Sequence, residues 1–224
     1  CFSAPDEFPI ALQNAGFDLF LTANNHCLDR YTRGAIRTLH ILDSIGADHI
    51  GTYDSKDSFE RFYPFITSIK GIRIAFLNYT YGTNGFTPHS PLIVNYIDEE
   101  KIKKDIFRAK TLSADLIVAC LHWGDEYQLL PNKRQEDLAD FLAKEGVQLI
   151  IGAHPHVIQP MELRYDEQGN PCALIVYSLG NFISNMKTRD TVGGAMVKVV
   201  IRRDITGKIL LQSAQHTLVY TRRP

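Results

Sequence analysis

The sequence has little of what usually fixes a protein class at first reading. Its four cysteines, Cys1, Cys27, Cys120 and Cys172, form no C-x-x-C pair and no dense cluster, which excludes a zinc ribbon and a disulfide-stapled mini-protein. No stretch of eighteen apolar residues occurs, so the sequence predicts no membrane-spanning helix. The compartment stays open, because an anchor upstream or a lipid on Cys1 is compatible with these residues.

An excess of charge of one sign is also missing. Lysine and arginine number 24 against 25 aspartates and glutamates, and no run of five like charges occurs. This balance gives no electrostatic footprint for nucleic acid, so no nucleic-acid partner is predicted. With 45% hydrophobic residues in 224, the chain fits one domain over residues 1–224, with a core that needs no staple.

Helix-like and strand-like stretches alternate over the first two thirds of the chain, and consecutive strands follow. Helices are predicted at 6–16, 32–45, 98–110 and 133–145, each before an extended stretch, and FYPFITSI pairs with IRIAFLNYT as a hairpin. The later strands are predicted at 157–165, 173–177, 195–202 and 209–217. This order predicts an α/β sandwich of two mixed sheets with helices outside, the second sheet being built mostly of late hairpins.

Polar side chains follow three of the apolar strands, at the place where α/β sheets present ligand-binding groups. LTANNHCLD carries Asn25 and His26, LHWGDEY carries His122, and GAHPHVIQP carries His154 and His156. Neutral imidazole is a common ligand of Zn, Mn and Fe, so the set predicts a metal site. Taken singly, Asn25 can instead form a turn and His122 can be a core histidine.

Other residues near these motifs are candidates for supporting roles. Asp29 can hold the His26 imidazole in one tautomer, or it can cap the next helix. Glu126 and Trp123 in LHWGDEY and Asn181 in YSLGNF are predicted to contact substrate, with core packing as the alternative for Trp123. Structural or exposed positions are predicted for the remaining histidines, His40, His49, His89 and His216.

The motifs LTANNHCLD, LHWGDEY, GAHPHVIQP and YSLGNF, in this order, resemble those of the CapA-type capsule and poly-γ-glutamate biosynthesis family. That family belongs to the calcineurin-like metallophosphoesterases, so the resemblance implies their α/β/β/α sandwich and two divalent metal ions, Mn, Zn or Fe. It implies that Asn25, His122 and His154 bind one metal and His156 the other. His26 would be the general acid near the leaving group.

The resemblance also implies a role. It points to a metal-dependent hydrolase that acts on a phosphoester or an anionic polymer in bacterial capsule assembly. The expected location is the extracytoplasmic side of the cell envelope, with capsule-synthesis membrane proteins as partners. The alternative is a non-catalytic envelope component that binds or hands on the polymer. Oligomeric state is not predicted.

One departure from the family pattern concerns the N-terminal side of the site. The family's remaining metal ligands, including a bridging aspartate, precede the Asn-His pair, and only 24 residues precede Asn25 here. We therefore expect a domain that is N-terminally incomplete and lacks its first strands. On that expectation the chain alone is weakly active or inactive, unless Asp125 or Glu126 completes the site.

Overall fold

The computed structural model describes residues 2–221 and contains five α-helices within them. Three of the helices begin with a side chain that accepts a backbone N–H at the N-terminus: Ser55, Asp98 and Asn132. The helices are α1 (Glu7–Asn14), α2 (Tyr31–Ser44), α3 (Lys56–Phe62), α4 (Glu99–Thr111) and α5 (Lys133–Lys144). A short 3-10 helix spans Arg189–Thr191.

Twelve strands lie within the same residues. In chain order they are β1 (Leu19–Leu21), β2 (Asp48–Ile50), β3 (Thr52–Tyr53), β4 (Phe65–Ile69), β5 (Ile72–Thr80), β6 (Ile93–Val94), β7 (Leu116–His122), β8 (Leu149–Ala153), β9 (Met161–Tyr165), β10 (Pro171–Val176), β11 (Gly193–Arg203) and β12 (Ile209–Tyr220).

A six-stranded mixed sheet forms the centre of the molecule, in the order β4-β5-β7-β8-β10-β9. Strands β5, β7, β8 and β10 run parallel, so their carboxyl ends meet at one edge of the sheet. The predicted β4–β5 hairpin is confirmed, and its turn residues Lys70 and Gly71 both have positive φ, as in a type I′ turn.

The prediction for the last third of the chain is wrong in one respect. Strands β9 and β10 join the central sheet, β10 parallel to β8, instead of forming a second sheet. Only β11 and β12 make a separate hairpin. The reason is that the apolar β10, buried over its last four residues, needs a covered position within the sheet.

The two faces of the central sheet are covered differently. Helices α4 and α5 pack on one face through Ile102, Ile106, Leu138 and Leu142. The hairpin β11–β12 packs on the other face through apolar side chains such as Val197, Val199, Ile201, Ile209 and Leu211. The strands in between are therefore apolar on both faces, and their polar residues lie at the strand ends.

A smaller unit stands beside the end of β5 and carries the Asn-His motif. It consists of the parallel pair β1–β2, helix α2 and the short pair β3–β6. The buried Asn78 side chain ties it to the sheet, accepting from the Ala23 amide at 2.9 Å and donating to the Cys120 carbonyl at 3.1 Å. No helix within residues 2–221 has the length and apolar character needed to cross a bilayer.

Candidate metal and phosphoester site

The predicted site residues converge at the carboxyl edge of the central sheet. His122 is the last residue of β7, and His154 and His156 follow β8 directly. Asn25 approaches from the β1 side, and its Oδ1 lies 2.8 Å from Nε2 of His122. Three motifs that are far apart in the sequence therefore meet at one edge of the sheet, as the sequence predicted from the strand ends, and we call the surface around Asn25, His122, His154 and His156 the cleft.

The Asn25 and His122 pair is buried and electrically neutral. Asn25 is 4% exposed, and its Nδ2 donates to Oδ1 of Asn84 at 3.2 Å, which turns Oδ1 toward His122. Burial, together with the neighbouring imidazoles of His154 and His156, lowers the pKa of His122 to about 3. His122 is therefore an uncharged imidazole near neutral pH, which is the form that binds metal ions.

His154 has a nitrogen without a hydrogen bond. Its ring centroid lies 4.8 Å from that of His122, and its buried Nδ1 finds no hydrogen-bond partner within the residues that the structure describes. Burial lowers the pKa of His154, so this ring also favours the neutral form. A buried imidazole nitrogen that no described protein group satisfies is uncommon, and it fits a side chain that binds a metal ion.

The backbone at both residues of the His-x-His motif is strained. His154 has φ 105° and His156 has φ 62°, in the left-handed region that side chains other than glycine rarely adopt. Such conformations cost about 1–3 kcal/mol each and persist where the surrounding structure imposes them. Here they turn two successive histidines of the motif toward the same cleft.

His26 and Asp29 form a second pair at the rim. Nδ1 of His26 lies 3.0 Å from each carboxylate oxygen of Asp29, and the Phe2 amide donates to the same carboxylate at 2.7 Å. Burial raises the pKa of Asp29, but these bonds outweigh it, so the pKa is lowered overall. An ionised Asp29 keeps the proton on Nδ1 of His26 and leaves Nε2 for proton exchange with a ligand.

Asn181 and Trp123 do not face the cleft as expected. Asn181 is 9% exposed. Its side-chain oxygen contacts Nδ1 of His156, and its side-chain nitrogen donates to the Thr191 carbonyl. Trp123 is 2% exposed, and its Nε1 donates to the Tyr177 carbonyl at 2.9 Å. The substrate contact predicted for Trp123 is therefore corrected to a core position, because residues 122 and 123 point to opposite faces of the strand.

The acidic residues after His122 differ in what they contact. Asp125 accepts from Nδ2 of Asn132 at 2.7 Å, which engages it at the start of α5. Glu126 is partly exposed, and its Oε1 lies 4.0 Å from Nε2 of His156. Of the two carboxylates considered from the sequence, Glu126 is the one that reaches the imidazoles in this arrangement.

Two residues of the cleft were missed by the sequence analysis. Tyr81 stacks parallel to His122 and lies with its ring centroid 4.7 Å from that of His154. Asn84 contacts both Asn25 and Nδ1 of His26. They belong to YGTNG, which directly follows β5. The same rule of polar residues after an apolar strand would have found them, but the stretch contains no histidine.

The donor set fits a divalent cation only when an amide oxygen is included. Among residues 2–221, no group of three or more His, Cys, Asp or Glu side chains comes together as a metal-holding cluster. Two neutral imidazoles, His122 and His154, stand beside the Asn25 oxygen, and the vacant nitrogen of His154 supports the fit. An ion at Nε2 of His122 requires the ring proton to sit on Nδ1 instead.

The arrangement of sheets and helices defines the class of fold, an α/β fold with mixed sheets of the calcineurin-like phosphoesterase type. A calcineurin-like phosphoesterase from Bacillus subtilis superposes with a TM-score of 0.52 at 16% identity, over 94% of this chain and 66% of that one. A 5'-nucleotidase precursor from Thermus thermophilus gives a TM-score of 0.58 at 15% identity, over 96% and 40%. At these identities the likeness establishes the fold alone.

Sequence similarity then gives the family. The chain belongs to the bacterial capsule synthesis protein PGA_cap family, whose sequence profile matches residues 1–186. It is 32% identical over 210 residues to the capsule biosynthesis protein CapA of Bacillus anthracis, covering 89% of this chain and 48% of that protein. The chain thus spans about half the length of the curated relatives it matches.

Proposed function

We propose that the cleft is the centre of a metal-dependent phosphoester hydrolase that serves capsule assembly in the bacterial cell envelope, on its extracytoplasmic side. The observation that carries the proposal is the pairing of a neutral ligand set with a separate, carboxylate-held histidine. Asn25, His122 and His154 lie together as uncharged side chains that would supply lone pairs to an ion once the ring proton of His122 is on Nδ1, and His26 stands beside them, held by Asp29. Ligand binding and proton transfer are thus assigned to different residues.

Two divalent ions held in such a cleft, Mn, Zn or Fe, would supply a water of lowered pKa and would neutralise charge on a phosphoryl group. The chain's own residues do the rest. His26 donates a proton from Nε2 to the departing oxygen, while Asp29 keeps Nδ1 protonated and stabilises the imidazolium before transfer. His156 lines the side of the cleft next to Glu126 and is assigned to the second ion.

Tyr81 and Asn84 complete the wall of the cleft on the β5 side. The Tyr81 ring is parallel to that of His122 and tilted against that of His154, and it remains partly exposed. Asn84 fixes the amide of Asn25 with its oxygen inward. A phosphoester of an anionic capsule polymer, or of its precursor, is the substrate class that fits this combination. We also propose that membrane-bound capsule proteins present this substrate to the cleft.

The test exchanges His26 for alanine in the full-length protein. With Mn²⁺ present, we expect His26→Ala to lower turnover of a phosphodiester such as bis-p-nitrophenyl phosphate by roughly two to four orders of magnitude. Metal content by elemental analysis should stay unchanged, since His26 is outside the ligand set. His89→Ala, at an exposed histidine of a loop, is the matched control and should retain full turnover.

The same assay separates catalysis from simple binding. If His26→Ala leaves both turnover and capsule output unchanged, the cleft binds or hands on an anionic polymer, and the hydrolase proposal fails. His154→Ala should abolish the bound metal in either case, because both functions use the same ions. Retention of the metal in His154→Ala would contradict the ligand set itself.

A further inference from the structure

Hydrogen bonds fix the orientation of the side-chain amide of Asn181. Its Nδ2 lies 2.9 Å from the Thr191 carbonyl and 3.2 Å from the His156 carbonyl. Carbonyl oxygens only accept hydrogen bonds, so the NH₂ group must face both of them. The amide oxygen is thereby turned to Nδ1 of His156, at 3.0 Å.

This orientation decides which nitrogen of His156 carries the proton. Asn181 Oδ1 can only accept, so Nδ1 of His156 must donate to it. In a neutral ring the proton on Nδ1 leaves the lone pair on Nε2. Nε2 is the atom that lies 4.0 Å from Glu126, on the side of the cleft. The ring is also stacked on Tyr127, with centroids 6.0 Å apart.

Asn181 is anchored independently of the ring it touches. The backbone N–H of Asn181 donates to the Gly193 carbonyl at 2.9 Å, at the start of β11. A Cβ added at Gly194 would meet the Asn181 carbonyl at 2.6 Å, so the two segments are in direct contact. The hairpin β11–β12, which covers the central sheet, therefore also sets where the Asn181 amide stands.

We propose that Asn181 is a positioning residue that locks His156 in the tautomer with Nδ1 protonated and Nε2 ready to bind a cation. The inference rests on the proposed function in one respect, that His156 is a metal ligand. It replaces the expected role of Asn181 as a substrate contact. Partners that hold the second nitrogen of a ligating histidine typically change metal affinity 10- to 100-fold when removed.

The direct test reads the tautomer by NMR in the metal-free protein. Imidazole ¹⁵N–¹H spectra at pH 8 of protein labelled at histidine report which ring nitrogen is protonated. His156→Asn, whose residue type tolerates left-handed backbone, assigns the His156 signals by their loss. We expect Nδ1–H in the native chain, a shift toward Nε2–H in Asn181→Leu, and retained Nδ1–H in Asn181→Asp, where a carboxylate still accepts.

Metal titration of the same proteins supplies the second readout. The dissociation constant for Mn²⁺ or Zn²⁺ should rise about 10- to 100-fold in Asn181→Leu. Met186→Leu is the matched control, because its sulfur lies 3.6 Å from Nδ2 of Asn181 and its loss leaves the bond to the ring in place. It should change neither the tautomer nor the affinity.

The outcomes separate this inference from the proposed function. Nε2–H in the native chain, or an Nδ1–H signal in Asn181→Leu that matches the native one, overturns the positioning role. If Asn181→Leu does not fold, the native and Asn181→Asp spectra still decide. If the native protein binds no ion, the hydrolase proposal fails, whereas the metal-free spectra still decide what Asn181 does to His156.

Discussion

The two ends of the central sheet are built on opposite principles. At the carboxyl end, the proposed ligands Asn25, His122 and His154 are uncharged, one imidazole nitrogen has no partner within the described residues, and His154 and His156 adopt left-handed backbone. At the amino end, charged side chains meet and pair. Asp115 accepts from the Arg203 guanidinium at 2.6 Å and from the Arg73 amide at 2.8 Å.

This difference distinguishes polar groups kept for binding from polar groups kept for stability. The amino end closes its hydrogen bonds, with the Arg73 side chain also donating to the carbonyls of Leu112 and Ser113. The carboxyl end keeps a buried nitrogen without a partner in the described residues and has strained backbone at His154 and His156. A protein retains such strain where function requires it. A sheet can bear such an end because the apolar packing between its ends is continuous.

The largest expected effect tests whether the strained end depends on close packing beneath it. Gly152 lies in β8 at this end, and an added Cβ would clash with the Tyr177 carbonyl and with Nε1 of Trp123. Gly152→Ala therefore overpacks the core and breaks the hydrogen bond between Trp123 and Tyr177. We expect the free energy of unfolding to fall by about 3 kcal/mol, measured by denaturant titration.

Gly82→Ala is the matched control for that prediction. Gly82 follows β5 at the same edge, but an added Cβ there meets nothing within 4 Å. Its unfolding free energy should stay within about 1 kcal/mol of the native value. Equal losses in the two variants would mean that the whole edge resists substitution, and that Gly152 has no special place in it.

A second prediction tests backbone strain at the two ends of the sheet by comparing the stability of a glycine variant with that of an alanine variant at one residue of each end. At His154, φ 105° suits glycine and strains alanine. His154→Gly should therefore be more stable than His154→Ala by about 1 kcal/mol, although both lose the imidazole. Thermal unfolding in a metal chelator measures the difference without a contribution from bound ions.

Arg73, in β5 at the amino end, provides the opposite case. It lies in ordinary strand backbone, so Arg73→Ala should be more stable than Arg73→Gly by about 0.5–1 kcal/mol. The two pairs together measure strain directly, because each pair differs only in the backbone freedom of one residue. If alanine is the better residue at both positions, the carboxyl end stores no strain at His154.

The sequence predicted much of the fold because its helices and long strands have strong local patterns. Helix α5 carries a capping box at Asn132, and β7 is a continuous apolar run, so both are visible locally. The pairing of β10 with β8 was not, since a strand's neighbour depends on which sheet edge can cover it. The short strands β3 and β6 were missed as a pair because two residues carry no periodic signal.

The candidate site was predictable where its residues have distinctive types. Histidines after strands are visible in the sequence, and the predicted Asn25, His122, His154 and His156 come together in the structure. Tyr81 was missed because a tyrosine in a loop has many ordinary explanations. Trp123 was misplaced although strand alternation was available. Residues 117, 119 and 121 face the helices, and Trp123 continues that series into the same cluster.

The smallest expected effect concerns the amino end and its pH dependence. Hydrogen bonding from Arg203, and then from the Arg73 amide, lowers the pKa of Asp115 below its ordinary value of 3.8. A lowered carboxyl pKa adds stability above the unfolded pKa, and this is lost as the pH falls through the folded pKa. Because the pair is partly exposed, Asp115→Asn should cost at most about 1 kcal/mol at pH 7.

The difference between Asp115→Asn and the native chain should then shrink as the pH is lowered below 3.8, because protonation removes the same charge from the native protein. Urea titrations at pH 7 and at pH 3 measure both values, and Glu167→Gln in an exposed turn controls for the loss of one negative charge. A difference as large at pH 3 as at pH 7 would mean that Asp115 acts through shape, and the amino end would then resemble the proposed ligands of the carboxyl end in being held by neutral contacts.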